Sequence, residues 1–163
     1  MRILSTLLAV FISVIACAQT YVRPNEEVIL SFQTDNGRQA FVVKDKENKY
    51  ISYRYGTKDS IELEYPGTEQ DSWKRFGYSY YLRGGGKAND GMDLNYLHFS
   101  NRGYRYMIYQ TYYAADQRSE VGIRITNAKT GRVTNIKGKR KTRKGTLIDF
   151  RDNGLLEVLD ETI

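Results

Sequence analysis

The chain is poor in the side chains of thiol and histidine chemistry. Its 163 residues include one cysteine, Cys17, and one histidine, His98. A single cysteine excludes an intramolecular disulfide framework and any zinc site built from several thiolates. A single histidine excludes a metal centre with two histidine ligands, and any histidine-based catalysis depends on His98 alone.

Long apolar runs are also scarce, and the clearest one lies at the N-terminus. Arg2 is followed by fourteen uncharged residues, 3–16, and then by small residues. A short positive start, an apolar run of this length and small residues at its end are typical of a secretory signal peptide. The run is too short to span a bilayer comfortably. We therefore predict a signal peptide over residues 1–18 and a single β-domain over residues 19–163.

Two interpretations of Cys17 are open. Ala16 and Ala18 are small residues at the two positions that define a signal-peptide cleavage site. Cleavage there would leave Gln19 as the new N-terminus. Residues 14–17 also resemble a bacterial lipobox, in which Cys17 is lipidated and becomes the first residue. The first interpretation predicts a periplasmic or secreted protein and the second an outer-membrane-anchored lipoprotein. Membrane contact is expected only through such an anchor, and in both cases the mature chain has no free thiol.

After about residue 21, apolar and polar residues alternate with period two, and turn residues interrupt the pattern at short intervals. The apolar positions of the clearest runs are Val28, Leu30 and Phe32; Ile61, Leu63 and Tyr65; Phe76, Tyr78, Tyr80 and Leu82; and Val121, Ile123 and Ile125. Such runs predict about eight to ten antiparallel strands joined by hairpins. Short helical pieces are expected only near residues 71–73 and 155–159. The expected fold is all-β, an antiparallel sandwich or a small barrel.

Three stretches of this pattern resemble a known group of proteins. They read YISYRYG at residues 50–56, IELEYP at 61–66 and LHFSNRGYRY at 97–106. The pattern is similar to that of a family of small exported bacterial β-proteins of mostly unassigned function. The resemblance implies a β-domain of the cell envelope and brings no catalytic residues with it. Some relatives of this type carry cysteine pairs, which the mature chain lacks, so no disulfide is carried over.

Positive charge is concentrated in one short segment near the C-terminus. Six of eight consecutive residues are basic: Lys137, Lys139, Arg140, Lys141, Arg143 and Lys144. Without Arg2, 24 basic residues remain against 19 acidic ones, a net charge of +5, so this basic run accounts for all of the excess. We expect it in a loop or at a hairpin tip. Such a cluster can attract an anionic glycan, a lipid head group or an acidic protein. Alternatively, it is a solvated tip whose charges prevent a sheet edge from pairing with another chain. Nucleic acid is not an expected partner, because no aromatic side chains are interleaved for stacking.

Tyrosine is abundant, with 14 copies, and several lie in the strand predicted from residue 104 to about residue 113. Tyr104, Tyr106, Ile108 and Tyr112 share one face of that strand, and Met107, Tyr109 and Tyr113 share the other. If one face packs inward, the other presents amphipathic rings that suit protein or sugar binding. If both faces are covered, the phenols are hydrogen-bonded within a sandwich. The candidate binding residues on this strand are Tyr106, Tyr109, Tyr112 and Tyr113.

Motifs of phosphate binding, metal binding and catalysis are weak. Residues 84–93 contain three consecutive glycines and a lysine, but their spacing fits neither a P-loop nor an EF-hand. They are expected to form a flexible hairpin loop, and no cofactor or metal site is expected. A hydrolase could use His98 with Ser100, or Glu62 with Glu64, but there is no nucleophile elbow, and neighbouring glutamates on one strand face do not by themselves flank a substrate.

These observations predict a non-catalytic binding protein that is secreted or periplasmic. The first candidate is an inhibitor or immunity-type protein that acts on an envelope protein. One alternative is an envelope module that binds anionic glycan or lipid through the basic run, and another is a glycan-acting hydrolase. Because ordinary lysozymes are basic, a protein target is expected to be acidic where it meets the basic run, or to bind elsewhere on the domain.

Overall fold

The computed structural model describes residues 21–67 and 71–159 of the chain. These residues form eleven strands in two sheets, connected by turns and four short 3₁₀ helices. The prediction of an all-β fold is confirmed. The barrel alternative is wrong, because neither sheet closes on itself within the described residues. The predicted signal peptide, including Cys17, lies outside these residues.

The smaller sheet has five antiparallel strands in the order β10-β1-β2-β3-β4. They are β1 (Glu26–Gln33), β2 (Gln39–Asp45), β3 (Ile51–Gly56), β4 (Ile61–Tyr65) and β10 (Lys144–Gly145). The larger sheet has six strands in the order β11-β5-β6-β7-β8-β9. They are β5 (Phe76–Arg83), β6 (Met92–Asn101), β7 (Tyr104–Tyr113), β8 (Arg118–Asn127), β9 (Val133–Lys137) and β11 (Glu157–Val158). The 3₁₀ helices are Ser72–Arg75, Gly86–Asn89, Arg140–Thr142 and Ile148–Arg151.

Turn chemistry explains how the long strands of the larger sheet pair. Between β6 and β7 the chain reverses through Arg102 and Gly103, whose φ angles are 47° and 79°. Two successive positive φ angles define the type I′ hairpin turn, whose twist matches that of the flanking strands. The turn sets Asn101 opposite Tyr104, and this register carries on to Met92 opposite Tyr113.

The core lies between the two sheets, with one face of each strand turned inward. Its fully buried members include Leu30, Val42 and Tyr53 from the smaller sheet and Leu97, Ile108 and Ile123 from the larger one. Burying side chains of this size stabilises the fold by about 1.5–3 kcal/mol each. The C-terminal segment adds Leu147, Phe150 and Leu156 to the same cluster.

Two details differ from the sequence predictions. Residues 155–159 were expected to form a short helical piece and instead contain β11, which pairs in parallel with β5. The edge of β5 supplies hydrogen-bond partners there, and the amide of Leu159 donates to the carbonyl of Tyr78 at 2.7 Å. The strand number exceeds the expected eight to ten because β10 and β11, of two residues each, carry no visible period-two pattern. The helical piece expected near residues 71–73 is present as the 3₁₀ helix Ser72–Arg75.

A buried ion pair joins strands β1 and β3 of the smaller sheet. Arg54 of β3 and Glu26 of β1 have fully buried side chains, and both terminal nitrogens of Arg54 donate to Glu26, at 2.6 and 2.7 Å. Arg54 also donates to the Tyr21 carbonyl at 2.7 Å and to Glu64 at 2.9 Å. Burial by itself raises the pKa of Glu26, but hydrogen bonds from Arg54, the Arg23 backbone and Tyr50 outweigh it and hold that pKa below its ordinary value.

Candidate functional site

A groove crosses strands β6 to β9 on the outer face of the larger sheet, the face turned away from the core. Its volume is about 410 Å³, within the range of cavities that take small ligands or a short stretch of a chain. The residues that give it its chemistry are Tyr96, Tyr109, Tyr113, Arg124, Asn135 and Lys137. Tyrosine rings, an amide and two cations therefore meet on one concave surface.

Strand register assembles this groove. Tyr96, Tyr109, Gly122 and Lys137 face one another across four neighbouring strands. A Cβ atom on Gly122 would lie 2.6 Å from Cζ of Tyr109 and 2.6 Å from the Ile136 carbonyl oxygen. The absence of a side chain at Gly122 thus lets the Tyr109 ring lie across the sheet towards Lys137.

The surroundings of the Tyr109 hydroxyl raise its pKa. Burial raises the pKa of this phenol, the carboxylate of Glu120 raises it further, and Arg124 opposes both effects. The result is a pKa above the ordinary value. Like any neutral phenol, the hydroxyl can donate and accept hydrogen bonds.

The charge left unneutralised in the groove is positive. Arg124 and Lys137 are exposed, and within the described residues no carboxylate lies at ion-pair distance from either. Arg124 Nε donates to Asn135 Oδ1 at 3.3 Å. The one acid of the lining, Glu120, is bound by Arg118 at 2.8 Å. The Arg118 guanidinium also lies 4.4 Å from the centre of the Tyr113 ring.

Thr111 forms part of the groove lining between Tyr109 and Tyr113. The residue is 5% exposed, and its Oγ1 has no hydrogen-bond partner among the described residues. Buried hydroxyls of this kind are rare, because an unmade hydrogen bond costs about 1–3 kcal/mol. The Thr111 hydroxyl is therefore able to bond to a polar group of a ligand in the groove.

The four candidate tyrosines lie on the two faces of β7 that the sequence pattern assigns to them. Tyr109 and Tyr113 line the groove, whereas Tyr106 and Tyr112 lie on the opposite face of β7. Tyr106 stacks on Phe99 at a centroid distance of 4.7 Å with rings nearly parallel. Tyr112 is 42% exposed towards the end of the sheet. Since side chains alternate along a strand, four residues that include both parities cannot share one face.

Of the two positions expected for the basic run, a loop or a hairpin tip, the structure has the run in a connection between strands of the two sheets. The run leaves β9 of the larger sheet, passes through the 3₁₀ helix Arg140–Thr142 and enters β10 of the smaller sheet. Gln33 holds it in place: its carbonyl accepts from the Lys139 amide at 2.7 Å, and its amide donates to Thr142 Oγ1 at 2.9 Å. The six basic residues are all exposed. Lys137 faces the groove, whereas Lys144 borders a different cavity on the smaller sheet.

The groups offered for a hydrolase lie on different sheets. Glu62 and Glu64 belong to β4, and His98 belongs to β6. Glu62 pairs with Arg38 at 2.8 Å, and Glu64 is bound by Arg54. The Nε2 atom of His98 is hydrogen-bonded to the Ser79 hydroxyl at 2.8 Å. The carboxylates are thus engaged in ion pairs away from the histidine.

Sequence reasoning missed Arg124 and Tyr96. In the sequence, Arg124 is a polar residue between Ile123 and Ile125, a pattern typical of any solvent-exposed position of a strand. Its place beside Tyr109 depends on the pairing of β8 with both β7 and β9, which the hydrophobic pattern does not specify.

No family model, no curated protein and no solved structure matches this chain. The resemblance to exported bacterial β-proteins therefore stays a prediction. Within residues 21–67 and 71–159, no helix is long and apolar enough to cross a membrane. The same residues contain no group of three or more histidine, cysteine or acidic side chains placed to hold a metal ion.

Proposed function

We propose that this chain is an exported, non-catalytic β-sandwich protein that binds an anionic glycan of the bacterial envelope. The observation that carries the proposal is the groove, where Tyr109 and Tyr113 lie beside Arg124 and Lys137. Tyrosine rings offer flat apolar faces with a polar edge, which suits sugar rings. Free cations beside them favour sugars that bear carboxylate or phosphate groups.

The shape of the groove favours a chain-like ligand over a folded protein surface. A concave trough of about 410 Å³ suits a narrow ligand. The inhibitor hypothesis from the sequence analysis is therefore the second candidate. It would require an acidic, extended segment of an envelope protein to enter the same groove.

The rest of the basic run supports the same ligand class at longer range. Its side chains are exposed along the crossover between the sheets, directly after Lys137. A dense patch of one sign raises the local concentration of anionic polymers and loses this effect as salt increases. Export is the part of the proposal that rests on residues 1–18 alone, and lipidation at Cys17 would hold the domain at the membrane surface.

The test is titration calorimetry of the mature chain, residues 19–163, with polygalacturonate as an anionic probe and dextran as a neutral one. We expect salt-sensitive binding of polygalacturonate and no binding of dextran. The double variant Arg124→Gln/Lys137→Gln should weaken binding about tenfold or more, because a hydrogen bond to a charged group is worth about 1.5–3 kcal/mol.

The matched control is Lys58→Gln/Lys129→Gln, which removes the same charge from exposed positions outside the groove. Equal losses in the two double variants would contradict the site, because they would reflect net charge only. Absence of binding to polygalacturonate, together with capture of a stoichiometric envelope protein, would overturn the glycan proposal in favour of the inhibitor hypothesis.

A further inference from the structure

The groove continues into a second cavity on the same face of the larger sheet. This cavity has a volume of about 330 Å³, and it shares Met107 and Arg124 with the groove. Beyond these two residues its lining includes Gly77, His98, Arg105 and Thr126. The outer face therefore carries one trough that extends from Arg105 at one end to Lys137 at the other.

Three cations follow the trough, one on each of three adjacent strands. Arg105 is on β7, Arg124 on β8 and Lys137 on β9. Arg105 lies opposite Thr126, and Thr126 is two residues from Arg124 along β8. Arg124 in turn lies opposite Asn135, which is two residues from Lys137 along β9. Each step thus crosses one strand and two residues. With strands about 4.8 Å apart and a rise of about 3.4 Å per residue, the step is about 8 Å.

The cations of this diagonal row are available to a ligand. All three are exposed, and in the part of the chain that the structure describes no carboxylate lies at ion-pair distance from them. The one acid of the groove lining is Glu120, which is bound by Arg118. The row therefore presents three positive charges over about 16 Å, with a neutralised acid beside one end.

A tyrosine ring adjoins the row between its second and third cations. Gly122 lies opposite Lys137 and two residues before Arg124, and the Tyr109 ring extends over it. A ligand that follows the cations must therefore pass the face or edge of Tyr109. This contact favours a chain with rings in its backbone over a simple string of charges.

We infer that the trough binds a linear polyanionic glycan lying diagonally across β7, β8 and β9, with successive anionic groups at Arg105, Arg124 and Lys137. The inference rests on the proposed function and adds to it the length and direction of the ligand. A single small anion would meet one cation and leave the other two unused. A chain that spans the row meets all three and gains affinity from linked contacts.

Size-defined oligogalacturonates of two, four and eight sugars test the inference by titration calorimetry. We expect affinity per chain to rise steeply with length until the oligomer spans the row. Arg105→Gln should weaken binding of the eight-sugar oligomer roughly fivefold to tenfold, in line with the loss of one charge-assisted contact. The same variant should change binding of the two-sugar oligomer less than twofold. Lys129→Gln, an exposed base outside the trough, is the control for net charge.

The outcomes separate this inference from the proposed function. If the two-sugar and eight-sugar oligomers bind equally, or if Arg105→Gln has no more effect than Lys129→Gln, the extended row is wrong while a local anionic site remains. If no oligomer binds and polygalacturonate does not bind either, the proposed function itself fails. Far-ultraviolet circular dichroism of each variant checks that the sheets are intact.

Discussion

Replacing Glu26 by Gln removes one charge from an ion pair that is shielded from water. Both side chains of the Arg54–Glu26 pair are fully buried, and two hydrogen bonds of 2.6 and 2.7 Å join them. Removing one partner of such a pair costs about 3–5 kcal/mol, because the remaining charge stays buried without compensation. Arg54 keeps its bonds to Glu64 and to the Tyr21 carbonyl. We therefore expect the lower end of that range, about 3 kcal/mol.

A loss of this size is a large part of the stability of a typical domain, about 5–15 kcal/mol. At about 2–4 °C per kcal/mol for a domain of this length, the melting temperature should fall by roughly 10 °C. The assay is urea unfolding followed by the fluorescence of Trp73, the only tryptophan of the chain. The midpoint should fall with an unchanged m-value, as expected when only native-state stability changes.

The matched control is Glu62→Gln, which breaks an exposed pair with Arg38 whose two side chains are each 38% exposed. Solvent-exposed pairs contribute little, so the unfolding midpoint of this variant should stay close to that of the wild type. If Glu26→Gln and Glu62→Gln shift the midpoint equally, the reasoning from burial is refuted.

The same pair predicts a pH dependence with a definite sign. The pKa of Glu26 is lower in the folded chain than in the unfolded one, where it is about 4.3. Its contribution to stability is therefore complete above that unfolded value and is lost as pH falls through the folded pKa. The difference in unfolding free energy between wild type and Glu26→Gln should be constant from neutral pH to about pH 5 and should shrink towards pH 3. A difference that widens on acidification would contradict the assignment.

Two further predictions concern the groove and the N-terminus. Gly122→Ala places a Cβ 2.6 Å from both the Tyr109 ring and the Ile136 carbonyl oxygen. We therefore expect displacement of the ring, a decrease of about 1–3 kcal/mol in the free energy of unfolding and weaker binding of polygalacturonate. Unchanged binding in calorimetry would show that the position of Tyr109 is unimportant. Intact-mass spectrometry of the protein exported by a bacterial host should find Gln19 as the first residue, whereas a lipid-modified Cys17 would establish the lipoprotein alternative.

The class of fold could be predicted from the sequence because strand periodicity is a local property. Alternation of apolar and polar residues with period two assigns each side chain to one of two faces without knowledge of its neighbours. For β7 it separated Ile108 and Tyr106 from Tyr109 and Tyr113, and the structure has these two faces. Local pattern also indicated the turns after β1 and β6, at residues 35–37 and 101–103.

The candidate site could not be predicted from the sequence, because it depends on contacts between residues that are distant along the chain. Tyr109 and Lys137 meet because β8 lies between β7 and β9 in one register, and a shift by one residue would turn Arg124 away from the groove. The sequence predicted only a loop or a hairpin tip for the basic run, because its charges hide the short strand β10 and the backbone bonds to Gln33. The buried ion pair of Arg54 likewise depends on partners that are distant along the chain, the Tyr21 carbonyl and the Glu26 carboxylate.

The sequence by itself determined an all-β domain, the two faces of its tyrosine-rich strand and the concentration of positive charge near its C-terminus. Each of these follows from composition or from a short-range pattern. The tertiary structure alone decided that Tyr106 packs on Phe99, and that Lys137 joins Tyr109 and Arg124 in one trough. The physical reason is that sheet order and register depend on the packing of the whole chain, whereas period two depends only on the alternating geometry of a single strand.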